Sequence, residues 1–222
     1  MWLPGHVAVG FLLSLVAVLL YLRKYKSLLL PLAYVAFFSV LPDFLHLGDL
    51  RAFSHSIFGA VLLLVAALLI LWRIHGWRPL LALVALLSLG SHLLADLYIG
   101  HIFPWYPWSM EFVQHNQFNT LYDIRVELFL CALAAVPLLY LLMTQRGAFC
   151  FDDLGRRDLV ASIALMAPFF LLCLGQVLYF VVLDIIDVFT ISSALLLAIF
   201  MGILLLSIMG LTGAIRALNK EF

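Results

Sequence analysis

Long aliphatic runs alternate along this chain with short segments in which the polar residues gather. Treating each run as a helix predicts seven, over residues 7–22, 27–41, 57–72, 79–99, 126–143, 159–183 and 188–211. Most approach the roughly 20 apolar residues that a helix needs to cross a bilayer core. The second and third are shorter, about 15 and 16 residues, so their polar ends would be drawn below the headgroups or the bilayer would thin there.

Composition removes a soluble alternative. With 66% hydrophobic and 11% charged residues and a mean hydropathy of +1.18, the 222 residues have too little polar surface to cover a soluble globule. The expected fold is an all-α polytopic transmembrane helix bundle. The formal net charge is zero and the basic residues are scattered, which excludes the electrostatic footprint of a nucleic-acid binder. Cys131, Cys150 and Cys173 show no CxxC or Cys/His spacing and are expected to pack in or beside apolar segments. In MWLPGHVAVGFLLSLVAVLLYLRKYK the positive charges follow the apolar run and no small-residue cleavage site is evident, so this segment reads as a retained span.

Arg23, Lys24, Lys26, Arg73, Arg78, Arg146, Arg156, Arg157, Arg216 and Lys220 fall on one side of this topology, and Arg51 and Arg125 on the other. The positive-inside rule then puts the N-terminus outside and the C-terminus in the cytoplasm. His6, His46, His55, His92, His101 and His115 all lie toward the outer side, leaving His75 inside, so function is expected to face outward.

The polar segment LPDFLHLGDLRAFSHS, residues 41–56, has more chemistry than a turn requires. His6 opens the first predicted span, Asp43 closes the second, His55 opens the third, and His92 and Asp96 lie in the outer half of the fourth, so all reach one membrane level. The i, i+4 spacing puts His92 and Asp96 on one helix face, as two ligands of one metal would be. Such residues cost roughly 2.5 kcal/mol or more in hydrocarbon unless paired, hydrated or metal-bound. Imidazole nitrogens mixed with carboxylate oxygens suit a divalent metal, zinc first, with manganese or iron as alternatives. A metal would supply a hydrolase with its nucleophile without an activated serine or cysteine. Each residue also has a plain reading: His6 as an interfacial side chain, Asp43 as a turn cap, and His92 with Asp96 as an interhelical hydrogen-bonding pair.

The set His6, LPDFLH, RAFSHS and SHLLADLYIGHIFP resembles the YdjM-like family of membrane-bound metal-dependent hydrolases over about residues 1 to 110. A more distant similarity is to zinc-dependent phospholipase C enzymes. The resemblance implies metal ligation by His6, Asp43, His55, His92 and Asp96, with His46 and Arg51 also in motif positions. It divides the chain into a hydrolase-like membrane core, residues 1–125, and additional transmembrane helices, residues 126–222. Leu45 stands where the family often has a second Asp, Leu50 where a His often precedes the Arg, and Ser54 where Thr is usual, which suits one or two ions better than three. Asp49 and His101 are further candidates beside the motif.

The function expected is hydrolysis of a phosphoester or lipid-linked substrate at a site facing outside a prokaryotic inner (cytoplasmic) membrane. Asp49 is the expected base, and Arg51 the group that neutralises developing charge, with a headgroup-level anchor as the other reading of Arg51. The aromatic segment around Trp105 and Trp108 is expected at the interface or as a lid, with Glu111 and His115 as possible substrate contacts or ligands. Two other classes remain open. One is a transporter or metal- or proton-handling protein; the other is a noncatalytic scaffold stapled by the cluster.

Overall fold

The computed structural model describes residues 2–45, 49–115, 120–151, 153–182 and 191–220. Its helices are α1 (Leu3–Tyr25), α2 (Leu29–Phe38), α3 (Asp49–Ser54), α4 (Ile57–His75), α5 (Pro79–Ile99), α6 (Thr120–Thr144), α7 (Arg156–Val182) and α8 (Ile191–Lys220). Short 3-10 turns occupy Leu41–Leu45 and Arg146–Phe149. Among the described residues there is no strand, only one isolated antiparallel bridge between Ile102 and Val113.

Six of these helices, rather than the seven expected, are long and apolar enough to cross a membrane on their own. The exception falls in the predicted span 27–41, where α2 is ten residues long, about 15 Å of rise. Pro42 explains the early end, because it cannot donate to the Phe38 carbonyl and its ring would clash there. The chain continues through the 3-10 turn Leu41–Leu45. It still travels from one end of the bundle, where the Leu28 amide bonds the Ala148 carbonyl, to the other, where Asp43 meets His55 and His92.

Punctuation residues set the other ends. α1 closes on Lys26 in the left-handed region (φ 59°), with Arg23 and Lys24 in its last turn, where cations oppose the helix dipole. α4 opens on Ser56, whose Oγ accepts from the Gly59 amide at 2.9 Å, a cap that contributes about 1 kcal/mol. α5 opens at Pro79 and stops at Gly100, whose amide bonds the Asp96 carbonyl at 2.7 Å.

α1 packs chiefly on α5, α7 on α8, and α2 lies against α1, α5 and α7. The largest core joins Phe11, Val18 and Tyr21 of α1 to Tyr34 and Phe38 of α2, Val84 and Leu89 of α5, and Ala161 and Leu165 of α7. α4 buries only a narrow stripe, Ala60, Leu64, Leu71 and His75, and exposes Val61, Leu62, Val65, Leu69 and Ile70. So broad an apolar face suits lipid, which offers side chains the same environment as a core.

Polar groups gather at both ends of this core. At one end the Arg78 guanidinium donates to Tyr21 Oη at 2.6 Å and to Asp158 Oδ1 and Oδ2 at 2.7 and 3.0 Å. Asp158, in the first turn of α7, thus ties that helix to Tyr21 of α1 and Arg78 at the start of α5. Tyr34 Oη and His75 Nε2 share a hydrogen bond at 2.7 Å nearby. The opposite end holds the histidines and aspartates singled out above.

Candidate metal centre

Four segments supply the cluster. His6 lies in the first turns of α1, Asp43 in the 3-10 turn after α2, His55 between α3 and α4, and His92 with Asp96 near the end of α5. The three histidines have no exposed surface, and Asp96 is buried.

His55 and His92 are held alike. His92 Nδ1 lies 2.8 Å from the Ser39 carbonyl, and His55 Nδ1 lies 3.1 Å from the Arg51 carbonyl and 2.9 Å from Ser54 Oγ. An imidazole that donates its Nδ1 proton to a carbonyl presents an unprotonated Nε2, the usual second contact of a metal-ligating histidine. The two Nε2 atoms converge to 3.2 Å.

The carboxylates complete the arrangement. Asp96 Oδ2 is 3.1 Å from His55 Nε2 and 3.5 Å from His92 Nε2, and Asp43 Oδ1 is 3.6 and 3.7 Å from the same two atoms. Two ligands on one tetrahedral zinc ion, each at about 2.0–2.1 Å, stand roughly 3.3–3.4 Å apart. The three separations among His55, His92 and Asp96, 3.1, 3.2 and 3.5 Å, are close to the edges of such a tetrahedron, and Asp43 Oδ1 lies slightly farther out. With both histidines neutral, the two aspartates also carry the charge that one divalent ion balances.

His6 joins from the side. Its ring stacks on His92, centroids 3.9 Å apart at 16°, and its Nε2 lies 3.3 Å from Asp96 Oδ1 without the alignment of a hydrogen bond. Two overlapping groups could each hold a metal ion: His6, Asp43 and His92, and His55, His92 and Asp96, their candidate ligand atoms lying within 4.8 Å of one another. Burial opposes charge on His55, but hydrogen bonds to Asp43 and Asp96 outweigh it and raise its pKa to about 9. The carboxylates thus favour a positive charge at this point.

Close backbone approach makes the convergence possible. A Cβ on Gly10 would come within 1.9 Å of Ser39 Oγ and 3.3 Å of Ser91 Oγ, so the missing side chain lets α1 meet the end of α2 and α5 one turn below His6. A Cβ on Gly59 would sit 1.8 Å from the Phe53 carbonyl oxygen, at the bend that carries His55.

All five residues expected as metal ligands therefore meet. The other expected residues are placed differently. His46 lies outside the described residues, and Asp49 opens α3 with its side chain outside the description. Arg51 reaches the centre through its carbonyl, while its half-buried guanidinium has an Nε without a hydrogen-bond partner. His101 packs against Phe103 and Phe112, Glu111 is exposed, and His115 is exposed and stacked on Tyr98, so none of the three enters the metal-capable groups. Their segment is folded back by the Ile102–Val113 bridge and by the His115 amide on the Leu97 carbonyl. It nevertheless touches the site, because the Phe103 amide bonds the His55 carbonyl at 3.0 Å.

Sequence reasoning missed the carbonyls of Ser39 and Arg51, and also Asp123 and Glu127 of α6, which are 2% and 0% exposed. The signal for the two acids was available: two carboxylates four residues apart at the start of an apolar helix, TLYDIRVELF. Comparison with protein-family models, with curated proteins and with solved structures found no match.

Proposed function

We propose that this protein is an integral membrane hydrolase in which His55, His92, Asp43 and Asp96, with His6 beside them, hold a divalent metal. Its substrate is a phosphoester or a lipid-linked ester reached from the outer face of the membrane. The observation that carries this reading is the 3.2 Å approach of two imidazole Nε2 atoms whose Nδ1 atoms already face carbonyls, with two carboxylates around them. Zinc suits this mixed set of nitrogen and oxygen donors, and manganese or iron are the nearest alternatives.

A divalent ion held there would supply the Lewis acidity that makes water a nucleophile near neutral pH. The chain's own groups do the rest. His55 and His92 would stay oriented by their carbonyl partners, Asp49 would take up the proton released from water, and Arg51 would offset the charge that develops on the substrate. The resemblance to YdjM-like hydrolases supports the ligand assignment and puts Arg51 in a motif position; Asp49 rests on its place beside the motif alone.

A lipidic substrate is supported by the surroundings. Trp105 and Trp108 are exposed on the segment bonded to His55, at the level where aromatic residues meet headgroups. A groove of about 400 Å³ lined by Leu94, Leu97, Tyr98, Val113, Gln114 and His115 runs beside the outer end of α5. The basic ends of the helices support the outward orientation, with the C-terminus cytoplasmic.

Proton handling is a second reading, favoured by the ability of Asp43 and Asp96 to hold a charged His55. Metal analysis by mass spectrometry separates the two. Stoichiometric zinc, manganese or iron in the detergent-purified protein, lost in a folded His92→Ala/Asp96→Ala variant, is the expected result and leads to a screen of phosphoester and lipid substrates. No metal in either protein, even after incubation with zinc or manganese, removes the metallohydrolase reading. Proton flux into proteoliposomes is then the next measurement.

A further inference from the structure

We infer that Glu127 is a positioning residue for His6: reaching across from α6, it caps the first turn of α1 and so holds the His6 ring against His92 and Asp96. The inference rests on the metal reading proposed above, and it concerns a residue that contributes no metal ligand.

α1 has no cap of its own. The residue before it, Trp2, makes no side-chain cap bond, although a helix start leaves several amides without partners. Pro4, within the first turn, has no amide to satisfy. The Trp2 amide instead donates to Glu127 Oε1, from a residue 125 positions away, and the Gly5 amide is directed at the same carboxylate. Glu127 has no exposed surface, and its Oε2 has no hydrogen-bond partner. A buried carboxylate needs compensation, and the positive end of α1 supplies it.

The consequence for the site lies in how its three histidines are fixed. His55 and His92 each have Nδ1 anchored on a backbone carbonyl. Neither ring nitrogen of His6 has a hydrogen-bond partner. Its place therefore depends on stacking against His92, on the 3.3 Å approach of its Nε2 to Asp96 Oδ1 and on the backbone of the turn that carries it, where Gly5 directly precedes His6 and the His6 amide bonds the Trp2 carbonyl at 3.2 Å. Glu127 grips that turn from α6 through the Trp2 and Gly5 amides. It does for His6 through the backbone what carbonyls do for the other two rings directly.

The test uses the full-length protein in detergent and zinc as the probe, with affinity read by competition against a chelating dye. Glu127→Ala is expected to weaken zinc binding by about tenfold or more, the scale of losing an orienting partner, while Glu127→Gln, which keeps an acceptor oxygen, stays within about threefold. In a His6→Ala background, Glu127→Ala is expected to change affinity by less than about twofold, because the two residues act as one unit. Equal weakening in both backgrounds, or none in the wild-type background, overturns the inference. Hydrogen exchange of the peptide spanning residues 2–10 is measured on the metal-free proteins alongside. Faster exchange in Glu127→Ala but not in Glu127→Gln is expected, and unchanged exchange in Glu127→Ala overturns the inference whatever the zinc result. If the wild-type protein binds no zinc, the metal reading fails, and the exchange result alone decides whether Glu127 holds the turn.

Discussion

The Nε2 atoms of His55 and His92 lie 3.2 Å apart, while the Nδ1 of each ring faces a backbone carbonyl. Two unprotonated imidazole nitrogens at this distance present lone pair to lone pair. Only a cation or a shared proton makes that arrangement favourable, and Asp43 and Asp96 stabilise either one. The cluster thereby joins α1, the turn after α2, the α3–α4 junction and α5 at one end of the bundle.

Ser54 tests the support behind the ligands. Its Oγ lies 2.9 Å from His55 Nδ1 and 3.2 Å from the Arg51 carbonyl, bracing the contact that sets the ring. Ser54→Ala is expected to weaken zinc affinity about tenfold, and Ser54→Thr, which restores the hydroxyl, to recover it. Unchanged affinity in Ser54→Ala would show that the carbonyl alone orients His55.

Two glycines permit the close approaches on which the cluster depends. Gly59→Ala drives a methyl group into the Phe53 carbonyl and is expected to cost about 1–3 kcal/mol of stability. Gly10→Val should separate α1 from Ser39 and Ser91 and lower zinc affinity together with melting temperature. Gly90→Ala is the control, since nothing lies within 4 Å of its added Cβ, and helix propensity favours Ala by up to about 1 kcal/mol. Thermal unfolding in detergent ranks the three; a Gly59→Ala protein as stable as Gly90→Ala would contradict the steric argument.

At the other end of the bundle, Asp158→Ala leaves the Arg78 guanidinium without its carboxylate. Both side chains are mostly buried, and a loss of about 1.5–3 kcal/mol is expected. Zinc content should be unaffected, because this ion pair sits at the opposite end of α5 from His92. A variant that loses metal while remaining as stable as the wild type would mean that the two ends are coupled in a way the packing does not suggest.

Orientation can be read with a cysteine already present. Cys150 is exposed in the loop between α6 and α7, whereas Cys173 is buried and Cys131 half-buried. With Cys131 and Cys173 replaced by Ala, a membrane-impermeant maleimide should label Cys150 in inside-out vesicles and not in right-side-out ones. The reverse pattern would place the metal centre on the cytoplasmic side.

Much of this architecture was legible in the order of the residues, because burial in lipid demands long apolar runs and a helix repeats every 3.6 residues. Those runs predict seven spans, six of which are membrane-length helices in the fold, and the shared face of His92 and Asp96 follows from their spacing alone. The apolar run continues to Leu41, but Pro42 ends the helix before it, at Phe38. What tertiary structure decided is of another kind. The meeting of His55 with His92, 37 residues away, and of Glu127 with Trp2 depends on which helices pack together, and Gly10 and Gly59 show how small the tolerance is. The acceptors that orient His55 and His92 are main-chain carbonyls, which every residue carries, so only the fold selects Ser39 and Arg51 for that role.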